Sequence, residues 1–472
     1  MPRSKDDKVS ILESDDLEER RSFYTSENSL GKVNSLRRSG FEESIREFKH
    51  STSDFETLIH LLKGNIGTGC LAIPQAFMNI GLWGGVIGLP VIGIISIHCM
   101  HLLLRSSREL CWRSGKDALN YEQTAEMCFH HGPERVRPWS KIFFRVVQTF
   151  LIITQIGFCC VYLVFVSLNL YQAMECMFGG TSLGPISYMG IVVVPLIFLC
   201  FLRNLKLLAP VSSVAMSLQL LGLIFIIYYL VRDLPVVEMK VPAFVGFEKL
   251  PLFFGTAMYT FEGINLILPL ENNMRNPDRF PGWNGVLNSG MTLVLCLYVG
   301  IGFYGYLEYG DFVLGSITLN LPGDEVLSQS VKLLFALAIF MSYPLQFYVP
   351  VSILLPSIVD KFSTERGKYW VDKAFRTGIV LLTFILAAAI PNIALFTNLI
   401  GTICSSNLVL IFPPLIETVT FWPDKGWCYS KLIKNVCISC FGIFGFVTGA
   451  FSSVSEIVSF YKSDDTAFAT GC

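Results

Sequence analysis

The feature of this 472-residue chain that most constrains its fold is a series of apolar stretches, each long enough to cross a lipid bilayer. About 20 apolar residues in a helix span a hydrocarbon core of about 30 Å. The ninth and tenth stretches form one run, divided at Pro391-Asn392. The predicted spans are 56–79, 83–106, 142–174, 186–202, 208–230, 248–271, 286–308, 327–357, 373–391, 392–418 and 431–456. The sequence therefore predicts an all-α integral membrane protein with eleven transmembrane helices.

Composition supports this fold class and narrows the partners. Charged residues make up 15% of the chain, against about 25% in soluble domains. The formal net charge of −1 gives no reason to expect nucleic acid as a partner, so the expected surroundings are the lipid bilayer. Most of the 14 cysteines lie inside apolar runs, and no cluster has the spacing of a metal site. Neither a cofactor nor a metal is expected.

Lysine and arginine predict the orientation of the chain. Residues 1–50 are too polar to bury a core and are predicted to be a disordered cytoplasmic tail. Eleven crossings would place 30 Lys and Arg residues on the side of this tail and 4 on the opposite side. Positively charged loops are retained in the cytoplasm. The prediction is a cytoplasmic N-terminus, a membrane domain over 51–456 and an extracytoplasmic tail over 457–472.

Two of the spans contain residues that interrupt helices. The first has Gly64, Gly67 and Gly69 near its middle and Pro74 beyond them, and the sixth has Gly263 followed by a proline six residues later. Five spans separate the starts of the two units, so the second enters the membrane from the opposite side. This predicts inverted repeats over about 56–230 and 248–418, with 431–456 as an additional helix.

Paired, interrupted spans in two inverted halves are typical of transporters, in which they mark a substrate site near the bilayer midplane. The alternative is that these glycines only allow helices to pack closely, as small residues commonly do in membranes. A break would expose amide groups at the start of a half-helix, which favours a carboxylate, and free carbonyl groups that can accept from an ammonium group. A small zwitterionic amino acid satisfies both. The residues predicted to bind it are Asn65, Ile66, Gly67, Thr68, Gly69, Tyr259, Phe261, Gly263 and Tyr343.

Ionisable groups inside membrane spans are costly, and they indicate function by default. Glu56, His60 and Lys63 lie on one face of the first span, and Glu262 adjoins the break in the sixth. Histidine titrates near pH 6.5, so His60 could take up a proton on one side and release it on the other. Burial favours the protonated carboxyl group at Glu262. His60 and Glu262 are the predicted proton-coupling residues, with a structural role as the alternative for each.

At this point the residues resemble a known family. The segment from His60 to Gly69 (HLLKGNIGTG) with Pro74, and Phe261-Glu-Gly263 followed by Leu268-Pro-Leu-Glu-Asn272, are similar to proton-coupled amino acid transporters of the amino acid/auxin permease superfamily. The similarity extends over about residues 50–456. It implies a LeuT-like 5+5 inverted-repeat fold, symport of small neutral amino acids with protons, a proton-sensing role for His60, and residence in the plasma membrane or in lysosomal or endosomal membranes.

Other classes of protein fit less well. A sensor with the same fold and little net flux is the main alternative. A membrane enzyme would need a catalytic constellation, and H-E-x-x-H does not occur in the sequence. A channel would need a charged or carbonyl-rich filter. In the family that this chain resembles, a disulfide can join two extracytoplasmic loops. Here Cys176 has no cysteine partner within 309–325.

Overall fold

The computed structural model describes residues 52–179, 183–202, 205–232, 241–423 and 429–462, with the side chains of 205–209 excepted. The predicted tail over 1–50 and most of the predicted tail over 457–472 lie outside these residues. The regular secondary structure of the described part consists of helices and one isolated bridge between Thr52 and Met274. The α-helices, numbered in chain order, are α1 Asp54–Asn65, α2 Thr68–Ile80, α3 Leu82–Ser114, α4 Tyr121–His130, α5 Ser140–Phe178, α6 Pro185–Cys200, α7 Leu205–Arg232, α8 Leu250–Thr260, α9 Ile264–Asn273, α10 Val286–Tyr309, α11 Val326–Val359, α12 Glu365–Ala389, α13 Ile393–Ile400, α14 Phe412–Thr420 and α15 Ser430–Lys462.

Seven helical segments in the described residues are long and apolar enough to cross a membrane on their own. They are Leu82–Ser114, Arg137–Phe178, Pro210–Arg232, Val286–Phe312, Val326–Val359, Ile393–Thr420 and Ser430–Lys462. Four of the eleven predicted spans do not qualify. The first and sixth are each divided into two short helices, and the fourth is α6 with 16 residues. The ninth is α12, whose first twelve residues include six charged ones. Eleven crossings therefore stay a prediction.

The first helix begins at a reciprocal cap. The Ser53 hydroxyl accepts from the amide of Glu56 at 3.2 Å, and the Glu56 carboxylate accepts from the amide of Ser53 at 2.8 Å. This capping box satisfies two amide groups that a helix start leaves unpaired. Glu56, considered from the sequence as a partner of Lys63, thus fixes the point at which α1 starts.

The chain just before α1 is bound to the chain just after α9. The amide of Thr52 donates to the carbonyl of Asn273 at 2.9 Å, and the amide of Arg275 donates to the carbonyl of Thr52 at 3.0 Å. Arg279 also pairs with Asp54 at 3.1 Å. These contacts join the outer ends of two helices whose inner ends meet at the site described below.

The predicted division at Pro391-Asn392 coincides with the end of one helix and the start of another. α12 ends at Ala389, and Asn392 caps α13 by accepting from the amides of Ala394 at 2.9 Å and Leu395 at 3.4 Å. From Ile393 the chain continues to Thr420 as one helical segment that contains two π-helical stretches, Gly401–Ser405 and Asn407–Ile411. The last helix, α15, runs to Lys462 and so passes the predicted boundary at 456.

Candidate functional site: a cavity between two interrupted helices

The inner ends of α1, α2, α8 and α9 meet in the interior of the protein. The hydroxyl groups of Thr68 and Tyr259 lie 2.8 Å apart, and the Thr260 hydroxyl donates to the carbonyl of Gly69 at 3.3 Å. The Tyr298 hydroxyl, from α10, donates to the carbonyls of Asn65 at 2.6 Å and Thr260 at 3.3 Å. These bonds hold the two interruptions side by side and satisfy carbonyl groups that the ended helices leave free.

The start of α2 presents amide groups without a side-chain cap. α1 ends at Asn65, Ile66 is extended, and Gly67 occupies the N-cap position of α2 with no side chain to accept from the first turn. The first amide groups of a helix have no partner within it, and the helix dipole makes this end favourable for an anion. This amide end lies in the wall of the cavity described below.

The glycines at the interruptions differ in what they do. A Cβ atom on Gly69 would lie 3.1 Å from Cα of Thr260, and one on Gly263 would lie 2.6 Å from Oδ1 of Asn65. Close packing therefore explains these two glycines, as the alternative interpretation of the sequence held. A Cβ atom on Gly67 would meet nothing closer than the Tyr162 hydroxyl at 3.7 Å. Close packing therefore does not explain Gly67.

Glu262 lies between the two halves of the interrupted sixth span and is 8% exposed. One carboxyl oxygen accepts from Asn265 at 3.1 Å, and the other is hydrogen-bonded to the hydroxyl of Ser405. Among the described residues the contacts of this carboxyl group are hydrogen bonds and not ion pairs. A buried carboxyl group without a cation is a place at which a proton can be held.

Ser405 comes from a π-helical stretch of the chain 143 positions after Glu262. Such stretches occur frequently at functional sites because they displace a side chain from the regular helical position. The adjacent turns of this segment are also polar on the inside, with Thr402 and Ser406 both buried. The sequence analysis did not select Ser405. The only sequence signal was a set of small polar residues within an apolar run.

These elements enclose a cavity of about 490 Å³, its opening included. Its lining consists of Gly64, Asn65, Gly67, Thr68, Gly69, Gln155, Phe158, Tyr162, Tyr259, Thr260, Glu262, Asn265, Leu266 and Gln346. Six predicted site residues are among them: Asn65, Gly67, Thr68, Gly69, Tyr259 and Glu262. The structure thus brings together residues from both interrupted spans around one space.

Other predicted site residues lie outside this lining. Ile66 is buried behind the break, and Phe261 is fully buried with its ring 5.5 Å from that of Tyr298. Tyr343, expected to shape the pocket, is instead directed to α12, where its hydroxyl lies 2.7 Å from that of Thr383. Gly263 lies against Asn65 and contributes close packing.

His60 also lies outside the lining, on the exposed face of α1. The sequence analysis expected a half-buried histidine next to the break. The buried positions of α1 are Thr57, Leu61 and Asn65, which recur every four residues and face the interior. His60 is on the neighbouring face of α1. In this structure it is therefore not placed to contact a substrate in the cavity directly.

Four lining residues that the sequence analysis did not select come from α5 and α11. They are Gln155, Phe158, Tyr162 and Gln346. The Gln346 amide donates to the Tyr162 hydroxyl at 3.3 Å, and the ring of Phe158 lies 4.7 Å from that of Tyr259. The sequence feature that marks the two glutamines is their polarity inside apolar spans. α5 and α11 pack along each other, which places these side chains opposite the two breaks.

A central cavity between two interrupted helices, in a multi-pass helical membrane protein, is typical of secondary transporters. Comparison with known proteins agrees with this class. The model of the transmembrane amino acid transporter protein family matches residues 50–455. The chain belongs to this family, and it is therefore a transporter-family protein and not an enzyme.

Two relatives illustrate the extent of the similarity. A proton-coupled amino acid transporter-like protein of Drosophila melanogaster, called pathetic, is 37% identical over 423 residues, which is 89% of both chains. The probable amino acid transporter skat-1 of Caenorhabditis elegans is 29% identical over 419 residues, which is 86% of this chain and 91% of the relative.

Among solved structures the chain is similar to Mhp1, a nucleobase-cation-symport-1 family transporter. A closed conformation with bromovinylhydantoin bound matches with a TM-score of 0.51 and 13% identity, covering 88% of this chain and 93% of that one. An inward-facing conformation of Mhp1 matches with a TM-score of 0.50 and 12% identity, covering 88% and 92%. At this identity the similarity concerns the fold alone.

Proposed function

We propose that this protein is a secondary active symporter that moves small neutral amino acids together with protons by alternating access. The observation that carries the proposal is the uncapped amide end of α2, which shares a small cavity with the buried carboxyl group of Glu262. Family membership supports amino acids as the substrate class. The similarity to a Drosophila protein described as proton-coupled amino acid transporter-like supports coupling to protons.

The cavity suits the two charges of an amino acid. The substrate carboxylate would bind at the amides that follow Gly67, at the positive end of the α2 dipole. The ammonium group would bind near the carbonyl end of α8 and the carboxyl group of Glu262. Both positions lie within the lining of one cavity, so one zwitterion can occupy both.

The aromatic residues in the lining favour a small side chain. Phe158 and Tyr259 have ring centroids 4.7 Å apart, and Phe158 and Tyr162 have centroids 6.5 Å apart. The space of about 490 Å³ includes the opening, so the enclosed part between these rings is smaller. We infer glycine, alanine and similar neutral amino acids as the substrates.

Glu262 is the proposed proton site within the cavity. Its hydrogen bonds to Ser405 and Asn265 are available to the carboxyl group in either protonation state, since the hydroxyl and amide groups donate and the carboxyl group accepts. His60 is the second proposed residue. Its exposure on α1 suits proton exchange with water along the pathway and not contact with the substrate.

The proposed topology has eleven crossings, with α1 and α2 together as the first and α8 and α9 together as the sixth. The N-terminus would be cytoplasmic, as the distribution of 30 against 4 basic residues supports. Cys176, at the end of α5, is disulfide-bonded, which is typical of an extracytoplasmic position. The working membrane would be the plasma membrane or that of lysosomes or endosomes.

The test is uptake of labelled glycine, alanine and proline into proteoliposomes, with and without an inward proton gradient. We expect accumulation only with the gradient, and loss of accumulation in Glu262→Gln with substrate binding retained. His60→Ala should lower the response to the gradient, whereas the matched control His130→Ala, on an exposed position of α4, should behave as the native protein.

Two results would contradict the proposal. Accumulation driven by sodium and unchanged in Glu262→Gln would exclude proton coupling through this residue. Binding of amino acids without flux under any gradient would instead indicate a sensor with a transporter fold.

A further inference from the structure

A second pocket lies between α3, α14 and α15. It is lined by Arg105, Glu417, Thr418, Phe421, Trp422, Lys431, Leu432 and Asn435, and it has a volume of about 340 Å³, its opening included. It shares no lining residue with the central cavity. Arg105 lies at the end of the second predicted span, and Lys431 lies at the start of the last. Both therefore belong to the side of the protein that carries most of the Lys and Arg residues.

Among the described residues at this pocket, cationic groups outnumber carboxylates. The carboxyl group of Glu417 is only 5% exposed and lies 3.7 Å from the Arg105 guanidinium and 3.4 Å from the Lys434 ammonium group. One carboxylate thus faces two cations, and Lys431 adds a third cation to the wall. Glu417 lies at the end of a predicted span, yet its carboxyl group is buried among charged and amide groups.

Arg105 is held with its guanidinium directed outward. It lies over the ring of Phe421 at 4.7 Å from the centroid, while 56% of its side chain stays exposed. A cation above an aromatic face is stabilised in one orientation. The planar guanidinium group has five N–H donors, more than its single long contact with Glu417 can use, and their geometry matches phosphate oxygens.

The inner wall of the pocket contains an acceptor in need of a donor. The side-chain amide of Asn435 donates to Glu417 at 2.8 Å and to Thr418 at 3.0 Å. Asn435 is 4% exposed, and its Oδ1 atom is buried without a hydrogen-bond partner in the described residues. Buried polar atoms are normally satisfied. A ligand that carries an N–H or O–H group beside its anionic group would satisfy this oxygen.

Apolar side chains form part of the outer rim of the pocket. Trp422 is 46% exposed and Leu432 lies beside it in the wall. Tryptophan is enriched where the hydrocarbon core meets the headgroup layer. A ligand at this rim would have its charged end at Arg105 and Lys431 and its apolar part along the outer faces of α14 and α15.

We propose that this pocket binds the headgroup of an anionic phospholipid whose headgroup also carries a hydrogen-bond donor. The phosphate group lies between Arg105 and Lys431, and the donor reaches Oδ1 of Asn435. Phosphatidylserine and phosphatidylglycerol have this chemistry. Basic pockets between membrane helices on the positively charged side bind such headgroups. The ligand bridges three helices, so it stabilises their arrangement without entering the transport cavity.

The test uses the full-length protein in nanodiscs of phosphatidylcholine with increasing phosphatidylserine, with bound lipid counted by native mass spectrometry and thermal unfolding measured in parallel. We expect saturable binding of phosphatidylserine and an increase in unfolding temperature. Arg105→Gln with Lys431→Gln should weaken binding at least tenfold. The matched control Lys116→Gln with Arg366→Gln removes the same charge from exposed positions on the same side and should leave binding unchanged.

A charge-conserving pair, Arg105→Lys with Lys431→Arg, keeps the result interpretable if the neutral pair folds poorly, and it should retain binding within about threefold. Equal losses in the pocket and control variants would overturn the proposal in favour of general surface charge. An equal stabilisation by inorganic phosphate or soluble phosphoserine would overturn the lipid as ligand. Equal binding of phosphatidylethanolamine would overturn the requirement for net negative charge.

Discussion

The hydroxyl groups of Thr68 and Tyr259 lie 2.8 Å apart, although 191 positions separate the two residues in the chain. Each belongs to one of the two interrupted spans, and each lines the central cavity. Their hydrogen bond therefore joins the two halves of the proposed repeat at the point where substrate would bind. A substrate that contacts one of these hydroxyl groups would therefore also affect the other through their hydrogen bond.

Removal of this bond should weaken the site without unfolding the protein. Tyr259→Phe leaves the buried Thr68 hydroxyl without its partner. We expect this to weaken amino acid binding by about 1–3 kcal/mol, the cost of an unpaired buried polar group. Thr68→Val should have a similar effect, and the double variant should lose less than the sum, because the two residues act on one bond. The measurement is amino acid binding to the purified protein by calorimetry for the four members of the cycle. Additive losses would mean that the two hydroxyl groups act independently.

Gly401→Ala should destabilise the fold strongly. A Cβ atom at Gly401 would lie 1.8 Å from the carbonyl oxygen of Gly255, and a backbone atom cannot rotate away. Overpacking commonly costs about 1–3 kcal/mol, and we expect the upper end or more here. Thermal unfolding in detergent measures the effect. Gly300→Ala, in the helix α10 with nothing within 4 Å of the added atom, is the control and should unfold like the native protein.

Glu271 connects the end of α9 to the end of α3. Its buried carboxyl group is hydrogen-bonded to the guanidinium of Arg108, which also donates to the carbonyl of Pro277 at 2.6 Å. Loss of one partner from a buried pair is costly, but Arg108 is 37% exposed and partly screened, so we expect Glu271→Gln to lower stability by about 2 kcal/mol.

Glu109→Gln, which breaks the more exposed pair with Arg113, is the matched control for Glu271→Gln. It should lower stability by less than about 1 kcal/mol. Chemical unfolding followed by tryptophan fluorescence compares the two variants. Similar stabilities of the two variants would show that the Glu271 pair contributes no more to stability than the Glu109 pair.

The contact between Glu325 and Arg232 should survive mild acidity. Hydrogen bonds from Arg232 and Tyr229 lower the pKa of the Glu325 carboxyl group. A lowered folded-state pKa gives stability that is fully present above the ordinary glutamate value of about 4.3 and is lost as pH falls through the lower folded-state value. The difference in unfolding temperature between native protein and Glu325→Gln should therefore be constant from pH 8 to about 5 and shrink below about pH 4. A difference that disappears near pH 6 would contradict this assignment.

Local features of the cavity could be predicted from sequence because glycine and proline act on the backbone where they stand. The glycines after Lys63 indicate an interruption, and α1 ends at Asn65. The contact between Glu262 and Ser405 could not be predicted, since it depends on how two distant segments pack and on a π-helical stretch that no residue pattern marks.

The outward position of His60 was missed for a related reason. Spacing along a helix places residues on a common face, but it does not say which face meets the interior. The contacts of α1 with α10, at which Leu58 and Leu61 lie against Gly290, decide this orientation. Tyr343 was misplaced in the same way, because α11 directs it to Thr383.

The paired backbone at Thr52 and Met274 means that the chain reaches its first helix already fastened to the end of α9. A load applied to the chain ahead of residue 52 is therefore shared by α1 and α9, whose inner ends meet at the cavity. A fusion domain or a binding protein attached there would transmit force to both helices. This makes the N-terminal side a point from which the opening of the cavity can be controlled without any contact with substrate.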